Sequence, residues 1–242
     1  MTTNADAAKA FYPALFGWTL DEMKMGPFTV WLFRQGDRRF GAIMPEPGLP
    51  SSHWIPYIAV EDVDAACKRI GELGGAVCVS PTDIPKLGRF AVVNDPQGGT
   101  FSPLARLADA VPPPDPAPGP LPHGTFCYDE LLTTDPEGAA AFYRGLFGWQ
   151  IEKLPMPDNP YWLVKDGGRD FAGMLRQPDP AAHRPFWCPY VAVDDVDAAT
   201  QKAASLRAQV FVPPRDIPNV GRFSVIADPT GAVLALYRSA HR

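Results

Sequence analysis

Concentrated charge of one sign, long apolar runs, paired cysteines and clustered histidines are all missing from this chain of 242 residues. Lys and Arg number 22 against 27 Asp and Glu, a net charge of −5, and no run of basic residues interrupts the sequence. Without a basic patch to displace counterions from phosphates, nucleic acid is not expected as a partner. The mild acidity suits either a cationic ligand or an ordinary solvated surface. No apolar stretch reaches the roughly 20 residues of a membrane-spanning helix. No basic-then-apolar leader stands at Met1, so no membrane association and a cytoplasmic location are expected. Cys67, Cys78, Cys127 and Cys188 form no C-x-x-C pair and do not recur in a common pattern, and they read as reduced thiols. A Gly-rich phosphate loop, a Gly-x-Ser-x-Gly elbow and a His-Glu-x-x-His pair are absent, and the serines have no repeated histidine nearby.

What is present is repetition. Ala-Phe-Tyr-x-x-Leu-Phe-Gly-Trp runs from Ala10 to Trp18 and again from Ala141 to Trp149. Pro-Tyr-x-Ala-Val-x-Asp-Val-Asp-Ala-Ala begins at Pro56 and at Pro189, Asp-Ile-Pro-x-x-Gly-Arg-Phe at Asp83 and at Asp216, and Asp-Pro-x-Gly at Asp95 and at Asp228. The offset drifts only from 131 to 133 residues. A repeat of that length is a duplicated domain, so a site should occur twice or lie between the copies. The expected division is a first domain at 1–107, a Pro-rich linker at 108–122 and a second domain at 123–242. Pro112, Pro113, Pro114, Pro116, Pro118 and Pro120 favour a stiff polyproline II spacer, which lets the copies pack as an intramolecular pseudo-dimer. Further self-association stays open.

Within the second copy, alternation predicts a strand over 126–133. Asp135, Pro136 and Glu137 then open a helix that Gly148 closes. Three short strands follow at 149–154, 161–165 and 171–176. The same series recurs as a strand at 189–193, a helix at 195–206 and strands at 210–212, 221–227 and 233–237. Asp228, Pro229 and Gly231 form a type I turn before the last strand. Each copy therefore reads as two βαβββ units, an α+β fold. The first copy lacks a counterpart of the strand at 126–133, because the chain begins at that point. The expectation is a start upstream of Met1, or a strand edge that something else must cover. Pro13, standing where the second copy has Arg144, is expected to remove one helical hydrogen bond and kink the first helix.

These motifs, in the same order twice, resemble the vicinal oxygen chelate superfamily of glyoxalase I, the bleomycin and fosfomycin resistance proteins and the extradiol dioxygenases. The resemblance covers 4–107 and 124–239 and implies tandem glyoxalase-type domains. Members with metal chemistry hold a divalent ion with histidines on the first and fifth strands and a glutamate on the eighth, sometimes with another on the fourth. Carried over, those positions fall on Tyr128, on or near Cys188 and on Ala235 in the second copy. In the first copy they fall near Ile55 and on Ser102. No set of three donors assembles, so no cofactor is expected, with a divalent metal as the alternative. His53 is the one histidine close to a ligand position. His123, His183 and His241 fall in linker, loop and tail.

The aromatic residues are more informative. Trp31 matches Trp162 and Tyr57 matches Tyr190. The resemblance points both tyrosines inward, and strand alternation places Tyr128, Glu130 and Tyr237 on the same concave face. Such a cup suits a flat organic ligand. The candidate binding residues are Trp31, Tyr57, Arg89, Ser102, Tyr128, Trp162, Cys188, Tyr190, Arg222 and Tyr237. Arg89 and Arg222 either orient an anionic or carbonyl oxygen or shape a turn with Asp83 and Asp216. The expected function is binding of a small aromatic or carbonyl-containing molecule without a metal, as in drug or toxin sequestration. The alternative is an enzyme, either a glyoxalase-like lyase or isomerase or an oxygenase of secondary metabolism. Glu130 is its candidate general base.

Overall fold

The computed structural model describes residues 1–25, 28–85, 87–107, 121–156, 159–178 and 184–240. The prolines from 112 to 120, His183 and His241 lie outside the described residues, and with them the expected spacer.

The elements follow the repeat. The first copy runs α1 (Ala5–Phe16), β1 (Thr19–Met25), β2 (Phe28–Gln35), β3 (Arg38–Ile43), then β4 (Tyr57–Ala59), α2 (Val63–Glu72), β5 (Ala76–Ile84), β6 (Gly88–Asn94) and β7 (Thr100–Arg106). The second runs β8 (Thr125–Thr133), α3 (Pro136–Phe147), β9 (Gln150–Leu154), β10 (Tyr161–Asp166), β11 (Arg169–Arg176), β12 (Phe186–Ala192), α4 (Val196–Ser205), β13 (Gln209–Ile217), β14 (Gly221–Ala227) and β15 (Val233–Ser239). Three of the four expected βαβββ units are complete. In the remaining one, a single parallel bridge from Thr2 to Pro45 stands where β8 and β11 pair from Asp129↔Ala172 to Thr133↔Arg176.

Helix ends obey local chemistry. Asn4, Asp62 and Asp195 each accept a backbone N–H in the first turn of α1, α2 and α4. Asp135 precedes α3 without a side-chain cap bond, and Pro136 sits in its first turn. α1 continues through Pro13 as one helical span to Phe16. β13 is longer than its expected three residues because two register shifts, at Val210/Val212 and Val212/Arg215, hide its alternation.

The compact units draw on both copies. The first gathers Met1–Trp54 with the segment ending at Cys127 and the one beginning at Pro189; the second gathers the stretch from Ile55 with Tyr128–Cys188. Each has its own buried cluster. In the first, Ala8, Phe11, Tyr12 and Leu15 of α1 meet Val196, Ala199 and Ala203 of α4 and Ile226, Leu234 and Leu236. In the second, Val63, Cys67 and Ile70 of α2 meet Ala139, Phe142 and Tyr143 of α3 and Phe101, Leu131 and Met174. On α2 the buried stripe is Val63, Cys67 and Ile70.

The repeated motifs meet across copies inside each unit. Tyr12 Oη donates to Asp228 Oδ2 at 2.7 Å, and Tyr143 Oη donates to Asp95 Oδ2 at 3.1 Å. The other oxygen of each aspartate is saturated locally. Asp228 Oδ1 accepts from the Thr230 and Ala232 amides and the Thr230 hydroxyl, and Asp95 Oδ1 accepts from the Gln97 and Gly99 amides. Burial and the aspartate together push both phenols far above their usual range, so each stays a donor. Among the described residues, no helix is long and apolar enough to cross a membrane.

Candidate functional site

A box of aromatic rings occurs in each unit, built from equivalent residues. In the first unit, Phe16 and Trp18 lie 4.5 Å apart, Trp18 and Phe40 4.9 Å apart, and Tyr12 and Trp54 5.3 Å apart. In the second, Phe147 and Trp149 lie 4.6 Å apart, Trp149 and Phe171 4.9 Å apart, and Tyr143 and Trp187 5.6 Å apart. The Leu-Phe-Gly-Trp motif supplies two rings of each box, because the left-handed glycine after the helix (φ 75° at Gly17, 71° at Gly148) turns the following tryptophan back under it.

The boxes differ in what occupies them. In the first unit, the Phe126 ring stands 5.6 Å from Trp18, 5.9 Å from Phe40 and 5.4 Å from Trp54. Trp18 Nε1 donates to the Gly124 carbonyl at 2.9 Å. Gly124 has φ 79°, and a Cβ there would stand 2.7 Å from Trp18 Nε1, so this approach needs glycine. Among the described residues of the second unit, no ring takes the equivalent place. Phe147, Trp149, Phe171 and Trp187 instead line a cleft of about 620 Å³, with Pro56–Ala59, Asp129, Asp166, Arg169 and Ala172. Trp149 makes no hydrogen bond to another described residue. The volume falls within the range of ligand pockets.

Asp129 is the chemically unusual wall of this cleft. It neighbours Glu130 on β8 and points to the opposite face, the one that carries Leu131 into the core. It makes no hydrogen bond or ion pair among the described residues. Burial raises its carboxyl from the usual 3.8 to about 7. Asp166 and Arg169, on the β10–β11 hairpin, are exposed at the cleft.

The residues expected from sequence fall into separate places. Tyr57 lines the cleft, its ring 6.5 Å from Phe90 and its backbone paired with Ser102. Ser102 is buried and donates to the Ala91 carbonyl at 2.6 Å. Tyr128 and Tyr161 bring their hydroxyls within 3.0 Å over Gly173, where a Cβ would collide with Tyr161. Glu130 lies opposite Gly173 on the same strand pair. Cys188 is buried, and burial, with Glu130 and Asp129 nearby, pushes its thiol far up. In the first unit, Tyr190 packs 6.2 Å from Tyr237 and 6.5 Å from Phe223. Trp31 and Trp162 sit under lysines instead, with Lys9 Nζ 4.1 Å and Lys153 Nζ 4.9 Å from their rings.

Arg89 grips Asp64 of α2 through two nitrogens at 2.7 and 3.0 Å and Asp83 at 2.8 Å. Arg222 repeats this on Asp197 of α4 at 2.7 and 2.8 Å and on Asp216 at 2.9 Å. Of the two roles considered for these arginines, the geometry displays the turn-and-helix clamp. His53 contacts the Ser51 carbonyl at 3.2 Å and exchanges backbone hydrogen bonds with Met1.

A divalent ion fits these donors poorly. Asp129 and Glu130 diverge to opposite faces of β8, and the Cys188 thiol is biased toward its protonated form, whereas a metal ligand must be a thiolate. Among the described residues, no three His, Cys, Asp or Glu side chains converge on one point. No chemical step is therefore derived through a metal.

Sequence reasoning missed Asp129 and the box. Strand alternation assigned Tyr128 and Glu130 to the concave face and so left Asp129 out of it. The Phe-Gly-Trp rings were absorbed as signatures of the fold.

Comparison with known proteins adds relatives to this geometry. The model of the glyoxalase/bleomycin resistance protein/dioxygenase superfamily matches residues 1–102 and 122–236. CFP32 of Mycobacterium tuberculosis (strain CDC 1551 / Oshkosh), named as a candidate glyoxylase, is 34% identical over 253 residues, covering 99% of this chain and 92% of CFP32. DauV of Streptomyces sp. (strain C5), named an anthracycline biosynthesis protein, is 29% identical over 249 residues, covering 93% of this chain and 86% of DauV. Among solved structures, the Mn(II)-bound glyoxalase from Novosphingobium aromaticivorans matches with a TM-score of 0.65 at 17% identity, covering 98% of this chain and 78% of its own. The 2,3-dioxygenase LapB from Pseudomonas sp. KL28 matches at 0.64 and 14% identity, covering 100% and 90%. At such identities the structural likeness speaks to fold.

Proposed function

Because the chain belongs to the glyoxalase/bleomycin resistance protein/dioxygenase superfamily, we propose that it binds a small planar aromatic or carbonyl-containing molecule, without a metal, in the aromatic cleft of its second unit. One observation carries this reading. Trp18, Phe40 and Trp54 close around Phe126 in the first unit, and their counterparts Trp149, Phe171 and Trp187 stand with Phe147 around about 620 Å³ in the second. The filled box indicates what the open one accepts. A flat ring replaces the Phe126 ring, and a carbonyl oxygen takes the Trp149 indole N–H as Gly124 takes that of Trp18. Sequestration of a drug or toxin needs no more than this shape and stacking, and the names of the anthracycline biosynthesis relatives are in keeping with an aromatic ligand.

The unpartnered Asp129 carboxyl favours a second reading, an enzyme of the glyoxalase-like lyase or isomerase kind or an oxygenase. A carboxyl poised near neutrality in a cleft is suited to accept a proton from a bound molecule.

The test is quenching of tryptophan fluorescence by 2-acetylnaphthalene, an aromatic ketone, with chelator-treated protein. The expected result is saturation at one equivalent. Binding should be lost in Ala59→Phe, which places a ring into the cleft from an exposed position on β4. Quenching indifferent to Ala59→Phe overturns the location. Binding that vanishes with chelator and returns with Mn(II) or Zn(II) overturns the metal-free reading. Conversion of the bound ketone to a new product would favour the enzyme.

A further inference from the structure

We infer that the cleft of the second unit selects aromatic ligands that carry a protonated amine, with the ammonium held by the Asp129 carboxylate among the faces of Phe147, Trp149, Phe171 and Trp187. The inference rests on the binding reading above and adds the charge of the ligand to it.

Asp95 and Asp228 are the buried carboxylates among the described residues, and Asp129, on the cleft wall, is partly buried. Asp95 accepts the Gln97 and Gly99 amides and the Tyr143 hydroxyl, and Asp228 accepts the Thr230 and Ala232 amides and two hydroxyls. Both are saturated with donors, as a buried anion requires. Asp129 lies in the same unit as Asp95 and among the described residues has no donor at all. Its carboxyl faces a cavity large enough for a ligand rather than packed side chains. The missing donor is therefore expected from whatever occupies the cavity.

The surroundings favour a cation over a neutral donor. The cleft is lined by two carboxylates, Asp129 and Asp166, against one guanidinium, Arg169. Among the described residues, Glu130 and Cys188 also lie near this carboxyl, and the Cys188 thiol is held neutral. Arg169 forms no ion pair with Asp129, so the guanidinium leaves the carboxylate available. The walls are four aromatic rings whose faces carry negative potential, an arrangement that attracts ammonium groups. A carboxylate within such walls supplies the charge and the hydrogen-bond acceptor that an ammonium needs once it leaves water.

The test compares two probes of one shape, 2-(aminomethyl)naphthalene and 2-(hydroxymethyl)naphthalene, titrated calorimetrically into the full chain at pH 8. There the amine is protonated and Asp129 ionised. The amine is expected to bind about tenfold tighter than the alcohol, a difference typical of a desolvated charge contact. In Asp129→Asn the amine should weaken to the level of the alcohol while the alcohol is unchanged. Equal affinity for the two probes in the natural chain overturns the inference, as does a preference for the amine that survives in Asp129→Asn. If 2-acetylnaphthalene binds and the amine does not, the cleft stands and the cation is refuted. If none of the three binds, the cleft reading falls and takes this inference with it. Asp129→Asn preserves shape and removes a buried charge, so loss of fold is not expected, and thermal unfolding of the variant verifies this directly.

Discussion

Replacing Asp129 by asparagine should make the protein more stable, and increasingly so as the pH rises. The cause is partial burial of a carboxyl that has no donor among the described residues. Its folded pKa is raised from 3.8 to about 7, so the native state holds the proton more tightly than the unfolded state. Below 3.8 both states are protonated and the group is neutral to stability. Between 3.8 and about 7 the unfolded chain has ionised while the folded chain resists, so the native state loses stability as pH rises. Above about 7 the loss is complete. At about 1.4 kcal/mol per pKa unit, the full span is on the order of 4 kcal/mol. Water entering the cleft screens part of this, leaving about 1–3 kcal/mol to develop between pH 5 and pH 8. Asparagine reproduces the neutral acid and does not titrate. Urea denaturation of the natural chain and of Asp129→Asn at the two pH values gives the difference directly, because every other titrating group cancels. An advantage for the variant that is the same at both pH values, or that shrinks as pH rises, refutes the account of Asp129 as a buried, unpartnered acid.

Three further outcomes follow from the boxes and clamps. Phe126→Ala, which empties the first unit's box, should cost about 2–4 kcal/mol in urea denaturation. It should also raise the calorimetric stoichiometry of 2-acetylnaphthalene from one site to two. Tyr143→Phe removes the hydroxyl that donates to Asp95 and accepts from Trp187 Nε1 at 3.3 Å. The buried aspartate loses its only side-chain donor, and a loss of about 1–3 kcal/mol is expected by thermal unfolding. Arg222→Ala breaks an exposed clamp on Asp197 and Asp216, so the affinity for 2-acetylnaphthalene should not change. A lowered affinity would restore the ligand-orienting role considered for this arginine.

How much of this was legible in the sequence depends on the range of the interactions involved. The helices were, because their signals are local: Asn4, Asp62 and Asp195 cap within three residues, and Gly17 and Gly148 end α1 and α3 with positive φ. β14, expected at 221–227, is a regular strand whose pairing with β15 runs without a register shift from Gly221 to Ala227. β13 was truncated to its first residues because Pro213 and Pro214 and two register shifts break the pattern. The conjunction of Tyr12 with Asp228, 216 residues away, left no local trace. Its two halves were read as a helix stripe and a turn, and both readings are correct as far as they go. What neither contains is that the turn aspartate of one copy is the acceptor for the helix tyrosine of the other.

The candidate site was hidden for a different reason. Repetition directs attention to residues that the copies share, and shared residues here build the fold: Arg89 and Arg222 clamp helices, Tyr12 and Tyr143 bridge the copies, and Trp31 and Trp162 lie under lysines. The cleft arises where the symmetry fails. Phe16, Trp18, Phe40 and Trp54 have counterparts in Phe147, Trp149, Phe171 and Trp187, but among the described residues of the second unit no ring stands where Phe126 does in the first. Rings that close around Phe126 are core; on the reading proposed above, their counterparts in the second unit await a ring supplied from outside. The energy that Phe126 contributes on folding is then left for a ligand to contribute on binding, since both bury the same aromatic surface. On that proposal a binding site needs no wall residue beyond those that elsewhere build a core, and Asp129, on β8, is the residue that would set its charge.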